Sequence, residues 1–248
     1  MNRPITVARP PAGEGVFWLK SAWTWFKPAA IAWTGMTALI FLILMSLVQI
    51  PYAGSILIEI LSPFMVAGFM AASRGAERGE TVTFLYLGAG FTAEHRVKLA
   101  VMGGFYLICM LSVDQLMRQL GGDGFQQLAQ LAANPEALPP EEVRRILDQI
   151  MPAVLAGMLL LTPVIMATWF APALVLFEGF SVGNALWWSL WACAVNWRPV
   201  LLYSLLLGMI GMVALLIPFG LGLLVFLPLV LCSTYAAYRA IFLPVEAA

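Results

Sequence analysis

The 248-residue chain is 62% hydrophobic and 10% charged, and its formal net charge is zero. A soluble domain carries about 25% charged residues, so there is too little polar material here to clothe a core of this size. The zero balance leaves no electrostatic footprint for nucleic acid, and the apolar runs are long enough to cross a hydrocarbon layer of about 30 Å.

Residues 1–12, with Arg3, Pro4, Arg9, Pro10 and Pro11, read as a short, basic, disordered tail. From Gly15 to Lys27, steps of 100° put Trp18, Leu19, Ala22, Trp25 and Phe26 on one face, and Lys20, Ser21, Thr24 and Lys27 on the other. Indole at headgroup depth and ammonium in water suit a membrane surface, so an interfacial helix is expected, broken at Pro28. Its length and tryptophans do not fit the n-region of a cleaved signal, and none is expected. The first span is placed at 29–48. An uncharged turn over 49–54 leads to the second, 54–73, where Pro63 predicts a kink near Glu59.

A charged connection, 74–98, encloses Phe84–Phe91, an apolar piece too short to span and expected at the interface. The third span, 99–117, carries Asp114 near its end. Residues 118–151 are the sizeable polar excursion. Asp123 is placed to cap a helix over 124–132, and Pro139-Pro140-Glu141-Glu142 is a second helix start. Val143, Ile146, Leu147, Ile150 and Met151 then make one apolar stripe, with Glu141 and Arg145 spaced to pair. These features predict an outer helical cap. The fourth span, 152–177, holds Pro163 and Pro172. The stretch 187–199 contains Trp187, Trp188, Trp191 and Trp197 before Arg198-Pro199, with Ser181 as candidate N-cap for a second interfacial helix. The fifth and sixth spans are 200–217 and 223–242.

The front and back of the chain echo one another. Phe26-Lys27-Pro28 sets on Trp197-Arg198-Pro199 at an offset of 171, and Ile50-Pro51-Tyr52 on Ile217-Pro218-Phe219 at 167. Pro63 sets on Pro228, and Ala71-Ala72-Ser73-Arg74 on Ala236-Ala237-Tyr238-Arg239, at 165. The order of these landmarks predicts a parallel internal repeat of helical hairpins. The fold class expected is therefore an all-α membrane protein, one integral domain over 1–248, with six spans and two cytoplasmic-side, Trp-rich interfacial helices. Ten of the thirteen Lys and Arg residues fall on one side of such a layout, which places both termini in the cytoplasm.

The search for chemistry finds little. Cys109, Cys193 and Cys232 lack metal or redox spacing and read as small hydrophobes, and His95 is a lone connection histidine. No metalloprotease, nucleophile-elbow or phosphate-loop motif is present, so no catalytic, cofactor or metal residues are assigned and no enzyme is expected. Intramembrane charge marks a candidate polar site at Glu59, Asp114 and Arg118, the last two spaced i,i+4. Trp18, Trp25, Lys27, Trp187, Trp191, Trp197 and Arg198 are the candidate interfacial anchors.

The pieces Gly68–Glu80, Phe170–Val175 with Ala185–Pro199, and Tyr235–Phe242 together resemble a family of uncharacterised proteobacterial six-span inner-membrane proteins. The resemblance implies that location and transfers no activity. The expectation is a non-catalytic accessory, scaffold or lipid-organising component. Its partner is the bilayer, together with a membrane protein or a second copy of itself. The alternatives are a small transporter or channel using Glu59, and then a membrane enzyme.

Overall fold

The computed structural model describes residues 6–133 and 139–243. They are helical, without strands among the described residues. The elements are α1 (Glu14–Phe26), α2 (Ala30–Val48), α3 (Ala53–Glu77), α4 (Arg96–Gly121), α5 (Gly124–Ala133), α6 (Pro140–Trp169), α7 (Ala171–Glu178), α8 (Val182–Val195), α9 (Trp197–Leu215) and α10 (Leu221–Phe242), with 3-10 segments at Lys27–Ala29, Phe84–Phe91 and Pro218–Gly220. Six helical stretches are long and apolar enough to cross a membrane: Glu14–Val48, Ala53–Glu77, Arg96–Gly121, Pro140–Glu178, Trp197–Leu215 and Pro218–Phe242. The 19 residues of α2, and likewise of α9, rise about 28 Å, which matches the hydrocarbon core.

Two compact units share the chain: residues 1–104 with 166–248, and residues 105–165. The first is built on α3 and α10. Its core is aromatic: Trp18 meets Tyr203 edge-on at 5.4 Å, Trp169 lies 5.6 Å from Tyr203, and Trp33 stacks on Phe69 at 6.0 Å. Small residues let backbones close in. A Cβ on Gly103 would stand 2.6 Å from the Ile60 Cα, and one on Gly68 2.8 Å from the Leu87 Cα, so α4 and the Phe84–Phe91 segment both lie directly on α3.

Helix breaks have local causes. Pro63 has no N–H for the Glu59 carbonyl four residues back, and the Ser62 hydroxyl donates to that carbonyl instead, at 3.1 Å. Between α6 and α7 the Phe170 N–H donates to Ser189 Oγ (3.0 Å), and that hydroxyl donates to the Met166 carbonyl (2.7 Å). Ser189 of α8 thus sits inside the broken 166–170 rung. Burial pushes the nearby Cys193 thiol up to about 12, so it stays protonated, and it donates to the same carbonyl at 3.6 Å.

In the second unit, Asp123 holds the N-cap position expected of it, with Gln127 N–H on its carbonyl, and α6 starts at Pro140 as expected. Ile146 and Ile150 of the anticipated stripe are buried, whereas Leu147 and Met151 are exposed. Arg145 pairs with Glu142 at 3.9 Å rather than with Glu141, and Arg144 with Asp148 at 4.0 Å. The cap helix and fourth span, expected to be separate elements, form one helix through Pro152.

Two expectations change at the front of the chain. Within residues 6–12, read as disordered tail, Ala8 is tied down: its N–H donates to the Ile241 carbonyl (2.8 Å) and its carbonyl accepts from Asn196 Nδ2 (3.1 Å). The part of that tail before residue 6 lies outside the described residues. The face of α1 expected toward lipid is the face that packs on α10 and α9, which buries Trp18, Ala22 and Phe26 and leaves Val16, Phe17 and Trp23 exposed. An amphipathic period identifies an apolar face without naming what covers it.

The two hairpins share backbone geometry in a register the sequence echo only partly has. Ala29 (φ −125°, ψ 31°) breaks the helix before α2, and Asn196 (φ −106°, ψ 29°) breaks it before α9. Tyr52 and Phe219, both at φ 60°, are the non-glycine residues with positive φ among those described. Each pair stands 167 positions apart, as do the first and last residues of α2 and α9. The helix break therefore aligns at 167, not at the 171 of the Lys-Pro and Arg-Pro pairs. The helices before the breaks pack differently: α1 lies on α10 and α9, and α8 mainly on α7.

Candidate functional site

The polar groups of the first unit gather where α3, α7 and α10 end. Arg74 and Glu77 lie in the last turn of α3, Glu178 ends α7, and Tyr235, Tyr238 and Arg239 share the last turns of α10. Arg239 Nη1 pairs with Glu77 Oε1, and the Tyr235 hydroxyl donates to Glu77 Oε2 at 2.7 Å. Tyr238 donates to Glu178 Oε1 at 2.9 Å, and the Arg74 guanidinium lies 4.7 Å above the Phe177 ring. Each carboxylate thus has a hydroxyl donor, and Glu77 has a cation as well. These contacts join the ends of α3 and α7 to the end of α10.

Beside this cluster the strap over residues 8–12 separates two clefts. One, of about 370 Å³, lies between α1 and α10 and is lined by Glu14, Trp18, Ser21, Trp25, Arg239 and Ala240, among others. The other, of about 290 Å³, lies between the strap and the α8–α9 junction and is lined by Arg9, Asn196, Trp197, Arg198 and Pro199, with no carboxylate among the described residues. Asn196 is 2% exposed, and its Nδ2 donates to the Ala8 and Ala192 carbonyls. The Arg198 guanidinium lies 5.3 Å over the Trp197 ring.

Of the residues singled out from sequence, Asp114 and Arg118 come together, at 2.7 Å, in the second unit, with both side chains more than half exposed. Glu59 belongs to the first unit, is half-buried, and has no ion-pair partner among the described residues. Trp187, Trp191 and Trp197 are surface residues, and Lys27 is exposed in its 3-10 turn. Trp18 is corrected to a core residue at 1% exposure, and Trp25 is half-buried, 5.6 Å from Tyr235. Trp23, absent from the anchor set, is exposed. No group of metal-ligating residues forms among the described residues. The Glu77–Arg239–Tyr235 triad was missed, and the only signal for it was the pair of Ala-Ala-x-Arg endings.

Six helical stretches long and apolar enough to cross a bilayer define a multi-pass helical membrane protein. The chain is similar to a probable inner membrane protein of Burkholderia thailandensis, at 30% identity over 251 aligned positions covering 90% of this chain and 91% of that one. At that identity and coverage, the chain belongs to the same family of inner-membrane proteins. No family model and no solved structure matches it.

Proposed function

We propose that the protein is a non-catalytic, lipid-organising component of the inner membrane, with both termini cytoplasmic and with the Trp-bearing helices α1 and α8 at the headgroup layer. The observation that carries this reading is the cleft of Arg9 and Arg198, two cations beside an exposed Trp197 with no carboxylate in the lining among the described residues. Such a lining accepts an anionic headgroup, and the indole suits that depth. Length supports it too: α2 alone matches the hydrocarbon thickness, so the 13 residues of α1 are surplus to a span. A second reading, a small transporter, draws on Glu59, a carboxylate inside an apolar helix without an ionic partner among the described residues.

The test is purification from the native membrane in mild detergent, with bound lipid compared to the bulk extract. Enrichment of anionic phospholipid, lost in Arg198→Ala and in Trp197→Ala, is the expected outcome. Bound lipid that mirrors the bulk in all three proteins would refute the proposal. Loss of a substrate flux in Glu59→Gln, with lipid binding unselective, would favour transport.

A further inference from the structure

The cleft between α1 and α10 differs in charge from its neighbour across the strap, and the difference is chemically specific. One wall is a single face of α1, carrying Glu14, Trp18, Ser21 and Trp25 at steps of four, three and four. The other is the last turn of α10, with Arg239 and Ala240. At about 370 Å³ the space is on the order of ten water volumes, far beyond what one bridging water fills.

Three groups in the lining ask for partners. The Trp18 indole is buried, and its Nε1–H has no acceptor among the described residues. Indole nitrogen is only a donor, and buried donors are paired in roughly nine cases of ten, so this N–H calls for an acceptor oxygen. The Arg239 side chain is 43% exposed and uses Nη1 on Glu77, which leaves further N–H groups of its planar fork for a second oxyanion. Glu14 has the opposite sign and no basic partner among the described residues.

A plain anion at Arg239 meets Glu14 in the same cleft and Glu77 behind the guanidinium. A plain cation at Glu14 meets Arg239. A molecule carrying both signs a few bonds apart meets neither repulsion. We infer that this cleft binds a zwitterionic headgroup of the phosphoethanolamine class, its phosphate oxygens on Arg239 and the Trp18 N–H and its ammonium on Glu14, one turn along α1 from Trp18. Arg239 lies one turn before the end of a membrane-length helix, which is headgroup depth. The inference rests on the reading of the protein as a lipid-organising component and names the second lipid class it holds.

Native mass spectrometry of the full chain, exchanged into detergent with equal phosphatidylethanolamine and phosphatidylglycerol, tests it. One phosphatidylethanolamine should be retained. Soluble O-phosphoethanolamine should displace it, and inorganic phosphate at the same concentration should not, which separates a headgroup site from a phosphate site. Glu14→Gln and Trp18→Phe should each lower its retention roughly tenfold, the loss of one charge-assisted or buried contact, while phosphatidylglycerol stays bound. Trp18 is a core residue, so should that variant not fold, Glu14→Gln decides alone. Equal displacement by phosphate, or retention unchanged in Glu14→Gln, overturns the inference. If phosphatidylglycerol still depends on Arg198 in that case, the proposed function survives and only this assignment falls. If neither lipid is selected, both fall.

Discussion

Asn196 is the residue whose removal would report most directly on how the clefts are built. In Asn196→Ala the Ala8 carbonyl loses its side-chain donor at 3.1 Å, while the Ala192 carbonyl keeps the backbone N–H of residue 196, also at 3.1 Å. Two side-chain hydrogen bonds are therefore lost, but of the two acceptors it is the Ala8 carbonyl that gives up its donor, at a site where the Asn196 side chain is 2% exposed and Ala8 is half-buried. A net bond is worth about 0.5–1.5 kcal/mol, and an acceptor left dry costs about 1–3 kcal/mol; for a half-buried carbonyl we expect about 1–2 kcal/mol. That favours opening of the strap roughly 5- to 30-fold. Hydrogen exchange measured by mass spectrometry in detergent reads this at Ala8, whose N–H is bonded to the Ile241 carbonyl. Exchange over residues 6–13 should accelerate by that factor, with α3 unaffected, and Asn196→Asp, which keeps shape but not the donor, should behave alike. An intact protein whose strap exchanges at the wild-type rate would show that the Asn196 bond does not hold it.

Glu77→Gln keeps an acceptor for Tyr235 but takes the charge from Arg239, and should cost about 1–3 kcal/mol, seen as a Tm several degrees lower in detergent; an unchanged Tm would mean the pair does not hold α3 to α10. Gly103→Ala forces a methyl to 2.6 Å from Ile60 Cα and should destabilise by about 1–3 kcal/mol, whereas Gly104→Ala, with nothing within 4 Å, should be neutral or stabilising by up to about 1 kcal/mol. Equal effects at the two glycines would contradict the close approach of α4 to α3. Asp114→Asn should change stability by less than about 0.5 kcal/mol, because the pair with Arg118 is largely exposed, and a larger loss in a bilayer than in detergent would place that pair in a drier layer.

What was legible in the sequence was what composition and spacing carry locally. The apolar runs marked the six spans, Asp123 and Pro140 marked helix starts, and Ile50-Pro51 and Ile217-Pro218 marked turns that each hold a residue at φ 60°. What was not legible depended on distant partners. The period of α1 gave a face, but only the packing of α10 and α9 shows that the face belongs to the core. The tail looked disordered because the groups that hold Ala8, Asn196 and Ile241, lie far along the chain. The Lys-Pro and Arg-Pro pairs misled the repeat register because a proline near the first turn of a helix is tolerated and need not be where the helix breaks. The candidate site at Glu59 and Asp114 was sought by charge within apolar runs. That search found the Asp114–Arg118 pair, which is local, and missed the Glu77 cluster, whose members Glu77 and Tyr235 are 158 positions apart.

Ser189 gives the fourth span a dependence on time as well as on space. The serine that fills the broken rung at Phe170 lies 19 residues downstream of it. At about 5–20 residues per second of synthesis, that hydroxyl follows the break by roughly 1–4 s. In the folded protein the serine takes both groups of the broken rung at once. The break in this span is therefore held by a part of the chain that is not in it and is made after it.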